Sequence, residues 1–188
     1  IKLVSRDSVY SGDFDKYFSE TFAGAGSQKQ QVDVLFLKQI NDWRIALSNE
    51  LYAKGGRYAS LDVLNDVVQE FINQIVFIRI CEDKNLPLYH KLKDTITDSA
   101  TLQKELEALF RDADKRYNSG MFSGDYIIFD LNNSVIADMI KGLYYPQSPY
   151  LFSIIEPNML GKIYEMFLTE QFTILDNGKI GLAQKKEC

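Results

Sequence analysis

The chain has 188 residues, 46% of them hydrophobic and 25% charged, with a net charge of −5 and a pI of about 5.0. This length predicts one domain of ordinary size, or one domain with tails, with enough apolar surface to build a core. The acidic balance counts against a free-standing nucleic-acid binder, and no apolar run reaches the ~18 residues of a bilayer span.

The opening Ile1-Lys2-Leu3-Val4 is not a signal peptide, and the absence of an initial Met leads us to expect that the chain begins inside a longer polypeptide. Cys81 and Cys188 are far apart and form no CxxC, so a buried inert thiol, a tail residue and a reducing, cytoplasmic setting are expected.

In chain order, the first ten residues suggest a short strand around Val4 and Val9. Ser11-Gly12-Asp13 then opens a helix with Phe14, Tyr17, Phe18 and Phe22 on one side, which Gly24-Ala25-Gly26-Ser27 should end. A helix over residues 32–53 follows from Val32, Phe36, Ile40, Trp43, Leu47 and Leu51, recurring at spacings of three and four, with Gly55-Gly56 as its stop.

Ser60 suits the N-cap of a helix over 61–83. Its second half, Ile75 to Cys81, is apolar almost all round, and such a helix is buried on every side. Asn85-Leu86-Pro87 ends it and a short helix is expected at 88–92. Asp98 or Ser99 should cap a helix over 100–116 with Leu102, Leu106, Leu109 and Phe110 inward, closed by Tyr117-Asn118-Ser119-Gly120.

Asn132 or Asn133 opens another, with Val135, Ile136, Met139, Ile140 and Leu143 on its apolar side, and Pro146 and Pro149 mark the turn beyond. Pro157 fits the first turn of a last helix whose buried face is Leu160, Ile163, Tyr164, Phe167 and Leu168. Residues 172–183 read as a hairpin, since Asn177-Gly178 stands between apolar runs. The fold class is therefore mainly α: several helices around a central buried helix, Leu61 to Asp83, with a small C-terminal β-hairpin.

No complete catalytic constellation emerges. His90 stands without a cysteine pair and reads as a surface residue rather than a general base. Glu82-Asp83-Lys84 matches the bare E-x-K of metal-dependent nucleases. It falls on a helix, however, where successive residues point about 100° apart, and reads as polar C-terminal sequence.

Arg79 is a lone charge in the apolar half of the central helix. It either pairs with Glu82, three residues on, or reaches a partner domain or a DNA phosphate. Asp112 and Asp114, set among cations, suggest surface ion pairs rather than a metal site. Lys104, Arg111, Lys115 and Arg116 are partly in phase along one helix, as a solvated face or a phosphate-tracking one. Gly24-Ala25-Gly26 has no Gly-Lys-Ser/Thr after it and is no phosphate loop.

Four stretches, in order, resemble one family. Phe36-Leu37 with Trp43-Arg44 and Leu47 is similar to its "FL…WR..La" helix, and Leu64-Asn65 to Leu86, containing Ile72-Asn73-Gln74-Ile75-Val76-Phe77-Ile78-Arg79-Ile80-Cys81-Glu82-Asp83, to its "LN…nRiiFlRicEdr" segment. Leu109-Phe110-Arg111 through Tyr117-Asn118-Ser119-Gly120-Met121-Phe122 resembles "lf…D.rYN.glF". Leu143-Tyr144, Tyr150 to Ile154 and Leu160 to Leu168 resemble "LY…Y.Fs.i…LG.iYE.fL".

The family is the type IIG restriction–modification proteins and related DNA adenine-N6 methyltransferases. Gln74 departs from it where an arginine is common. The resemblance implies a helical connector over 32–170, a lead-in over 1–31 after a nuclease, and a hairpin and linker over 171–188 toward a methyltransferase. It further implies a bacterial or archaeal parent enzyme acting on double-stranded DNA with S-adenosylmethionine and Mg²⁺. The family's cofactor loop and Asn-Pro-Pro-Tyr/Phe motif do not occur in these residues. On this reading the fragment is a non-catalytic spacer with no catalytic, cofactor or metal residue of its own. The alternatives are a DNA-contacting module of the same kind of enzyme or an interaction domain of an unrelated one.

Overall fold

A computed structural model describes residues 25–84, 86, 91–118, 120–123, 126–148 and 158–184, with side chains from residue 34 onward except 158–160. The strand and helix expected before residue 24, His90, the Pro149 and Pro157 turns, and Cys188 lie outside them. The chain divides into two compact units, residues 1–36 and 37–188. What is described of the first is helical, the leading turns of α1 (Ala25–Lys54).

The helix starts earlier than Val32. Ala25, Gly26 and Ser27, expected to lie in the break before this helix, already belong to α1. Residues 27–31, Ser-Gln-Lys-Gln-Gln, carry no apolar stripe to betray a helix, yet glutamine and lysine are good helix formers and extend it.

Gly55 and Gly56 end α1 with φ of 69° and 60°, in the left-handed region that side-chain-bearing residues avoid. A 3₁₀ turn (Gly56–Ala59) leads into α2 (Leu61–Asp83), where the Ser60 hydroxyl accepts from the Val63 amide at 3.5 Å. A single turn, α3 (Lys91–Asp94), follows. Next come α4 (Leu102–Tyr117), a 3₁₀ turn (Ile128–Asp130), α5 (Asn133–Lys141) and α6 (Asn158–Thr169).

Helix α4 begins later than expected because the Asp98 carboxylate accepts from the Ala100 amide at 2.8 Å, making a local turn instead of a cap. Thr101 takes the cap position, its hydroxyl donating to Glu105 at 2.7 Å. At the other end Asn118 adopts φ 43° and donates its amide to Asp114 at 2.9 Å.

Strands β1 (Glu170–Ile174) and β2 (Ile180–Gln184) pair antiparallel from Glu170↔Gln184 to Ile174↔Ile180. Asp176 and Asn177 form the centre of the turn and Gly178, at φ 75°, is the bulge residue after it, its amide bonded to the Leu175 carbonyl at 2.8 Å. The sequence signal for the hairpin is sound, but the glycine sits one place past the turn's centre.

Helix α2 is the centre of the second unit. From Phe71 to Glu82 only Asn73, Phe77 and Ile80 are less than fully buried. Phe71 and Phe110 stand 6.1 Å apart, Phe110 and Phe122 5.4 Å, and Phe77 and Phe122 5.8 Å, so tilted and edge-on rings fill the space between α2 and α4. Tyr164 and Leu168 depart from the expected burial on α6: they are 54% and 50% exposed, whereas Ile163 and Phe167 are enclosed. No helix among the described residues is long and apolar enough to cross a membrane.

Candidate functional site

Two buried arginines organise the polar chemistry of the domain. The first is Arg79, which the sequence singles out. Its Nε donates to the Leu143 carbonyl at 3.1 Å, its Nη1 pairs closely with Asp83, and the same nitrogen lies 3.8 Å from Glu82 Oε2. Its guanidinium lies over the Tyr144 ring, 4.5 Å from the centroid.

Glu82, 2% exposed, spends both oxygens: Oε1 accepts from the Leu92 amide at 2.8 Å and Oε2 from the Tyr144 hydroxyl at 2.5 Å. One arginine and one carboxylate thus tie the C-terminal end of α2 to α3 and to the turn after α5. The Glu82-Asp83-Lys84 triplet sits at a helix end, with its first two members turned to Arg79.

The second, Arg44, is one that sequence reasoning missed. The apolar spacing of α1 places Trp43 on its inward stripe, but Trp43 is half-buried and Arg44 is completely enclosed. Its Nη1 donates to Asn41 at 3.1 Å, and its Nη2 to Asn65 at 3.2 Å and to the Glu170 carbonyl at 2.6 Å. The rings of Phe167 and Phe172 flank it at 4.5 and 5.2 Å. Burial lowers its pKa to about 10, against the attraction of the Glu170 carboxylate.

Two further bonds pin the hairpin to α1. Asn41 donates to the Glu170 carboxylate at 2.5 Å, and the Asn49 amide exchanges bonds of 3.0 and 2.9 Å with Ile180, as a strand neighbour would. The signal available in the sequence was the polar set Asn41, Arg44 and Ser48 falling in or beside the buried phase of an otherwise apolar stripe.

Gln74, at the position where the family often has arginine, is buried and donates to the Met121 carbonyl at 2.8 Å, closing the loop after α4 onto α2. The four cations of α4 divide between two sides. Lys104, Arg111 and Lys115 fall in line at helical spacing, opposite the buried Leu106 and Leu109, whereas Arg116 turns aside to Asp112.

Arg111 pairs with Glu107 at 2.7 Å, and Arg116 and Lys91 both reach Asp112 at 3.1 Å. Within α4 four cations (Lys104, Arg111, Lys115, Arg116) meet four carboxylates (Glu105, Glu107, Asp112, Asp114), so the helix carries no net charge. Arg111 and Lys115 border a groove of about 550 Å³ whose other walls include Glu107, Asp114, Tyr126 and Phe129. Among the described residues no group of three or more His, Cys, Asp or Glu side chains could hold a metal ion.

The tyrosines make the domain sensitive to alkali. Burial raises the pKa of Tyr58, Tyr126 and Tyr144, and pushes Tyr117 up to about 12; the Glu82 carboxylate adds to the effect on Tyr144. A raised acid keeps its proton in the folded state after the unfolded chain has lost it. Its stabilisation is therefore complete below the unfolded pKa of 10.0 and is lost as pH rises toward the folded value. Arg44 acts in the opposite direction above about pH 10, but singly. The expected result is a urea midpoint that falls between about pH 10 and 12, and falls less steeply in Tyr144→Phe. A midpoint unchanged across that window would rule the tyrosines out.

No protein-family model matches the chain, and no solved structure matches it. One curated relative is similar along almost the whole chain. The type II restriction enzyme and methyltransferase RM.Eco57I of Escherichia coli is 43% identical over 191 residues, which is 98% of this chain. The chain spans 18% of that protein's length.

Proposed function

We propose, from its similarity to one segment of this type II restriction enzyme and methyltransferase, that the chain is a rigid helical spacer between a nuclease and an adenine-N6 methyltransferase in one polypeptide. The observation that carries this reading is the pair of buried arginine clamps. Arg44 locks α1 to α2 and the hairpin, and Arg79 with Glu82 locks α2 to α3 and the turn after α5. A buried cation with several fixed acceptors favours one packing over its neighbours, which is what a part that sets distance and angle requires. S-adenosylmethionine, Mg²⁺ and the target DNA belong, on this reading, to the flanking domains.

The test is a distance measurement in the full-length protein, with one spin label in each flanking domain. A single narrow distribution, kept with and without duplex DNA, is the expected result. A broad distribution overturns the spacer. A second reading, direct DNA contact, has one observation in its favour, the line of Lys104, Arg111 and Lys115. The equal number of carboxylates on the same helix weighs against it. Duplex binding by the chain that weakens steeply as salt rises from about 50 mM would favour this second reading.

A further inference from the structure

Helix α2 is enclosed in its second half, but its first half keeps one open side. Asp62, Asp66, Gln69 and Asn73 recur there at spacings of three and four, a run of about 16 Å. Two grooves follow this side. One, of about 460 Å³, lies between Asp62, Asp66 and Gln69 of α2 and Tyr164 and Leu168 of α6. The other, of about 330 Å³, continues from Asp66 and Gln69 past Glu70 and Asn73 to Met121. Because Asp66 and Gln69 line both, they form one trough. Among the described residues that line them there is no lysine or arginine.

The apolar wall is out of keeping with its own helix. Tyr164 and Leu168 share the apolar phase of α6 with Ile163 and Phe167, which are 0% and 1% exposed, yet both remain half open. An apolar pair left open beside a groove is the kind of surface that takes a partner.

The rim decides what kind. Asp62 and Asp66 are exposed carboxylates, so a phosphate backbone is repelled, and no described cluster suits a metal. We infer that this trough seats a segment of the parent polypeptide outside these 188 residues, one that carries lysine or arginine around an apolar tip. The charge selects the cations, and Tyr164 with Leu168 takes the tip. The chain spans only 18% of its relative's length, so most of such a polypeptide lies outside it. The inference rests on the reading of the chain as a part held between flanking domains.

A zero-length carbodiimide reaction on the full-length protein, mapped by mass spectrometry, tests it. The expected result is Asp62 or Asp66 joined to lysines outside residues 1–188 of the same molecule. Those links should be lost in the double variant Tyr164→Ser, Leu168→Ser, which leaves both carboxylates in place. Links only to lysines within this chain, links to a second copy in an isotope-mixed sample, links that survive the double variant, or no links at all would each overturn the docking seat. A narrow interdomain distance together with any of these results would leave the spacer standing and remove only the seat.

Discussion

Replacing Arg44 with alanine should lower the unfolding free energy by about 3–5 kcal/mol, read from urea unfolding of the chain. The substitution removes the donor to the Asn41 and Asn65 side-chain oxygens and to the Glu170 carbonyl, and it leaves a void beside Phe167 and Phe172. Each effect alone is worth roughly 1–3 kcal/mol in a buried site. Arg44→Met separates them. Methionine fills most of the volume and removes a cation whose lowered pKa reflects the cost of its burial; the Nε of Arg44 also finds no hydrogen-bond partner among the described residues. We therefore expect Arg44→Met to cost about 1–2 kcal/mol, because replacing a buried ion by an apolar group is far cheaper than emptying its place. Equal losses in the two variants would mean that the hydrogen bonds to the hairpin, and not the packing, dominate. A loss below about 1 kcal/mol in Arg44→Ala would remove Arg44 as a clamp.

Much of this architecture is legible in the sequence, for physical reasons that differ along the chain. Helix α2 is recognisable because its second half is apolar all round and Ser60 marks its start. The hairpin is recognisable because an Asn-Gly pair separates two apolar runs. Local periodicity carries both signals. What periodicity cannot carry is the choice between adjacent residues of one turn.

Trp43 and Arg44 compete for the inward position of α1, and hydrophobicity favours tryptophan. The outcome is decided by Asn65, Glu170 and Phe172, far away in sequence, which together make a pocket that suits a guanidinium. Tyr164 and Leu168 fail in the converse way: their phase is correct, but burial needs a partner surface that α2 does not supply. The start of α1 was hidden because Ser27 to Gln31 is helical without being amphipathic. Arg79 is the intermediate case. Its isolation among apolar residues marks it in the sequence, whereas its bonds to Leu143 and its place over Tyr144 depend on how α5 returns to α2.

Glu82 should be as sensitive as Arg44. Glu82→Ala leaves the Leu92 amide and the Tyr144 hydroxyl without their acceptor and strips the buried Arg79 of the Glu82 carboxylate. Breaking such a buried arrangement from one side costs about 3–5 kcal/mol. Glu82→Gln keeps the shape, with a carbonyl oxygen for the Leu92 amide and an NH₂ that can donate to the Tyr144 hydroxyl, but it removes the negative charge beside Arg79, and about 1–2 kcal/mol is expected for the loss of charge-assisted bonding. Tyr144→Phe, which removes only the hydroxyl, should cost about 1.5–3 kcal/mol, the usual range for a hydrogen bond to a charged group. The double variant with Glu82→Ala should then lose less than the sum, by about 1–3 kcal/mol of coupling. Additive losses would mean that the Tyr144 and Glu82 contacts act independently, and the network would reduce to separate bonds. The same variants carry the argument from stability to function. If the Arg79–Glu82 clamp holds α2 against α3 and the turn after α5, then Glu82→Gln in the full-length protein should broaden the distance between the flanking domains under conditions where the chain is still folded. Arg111→Ala, which breaks only an exposed, solvent-screened pair with Glu107, should leave that distance unchanged.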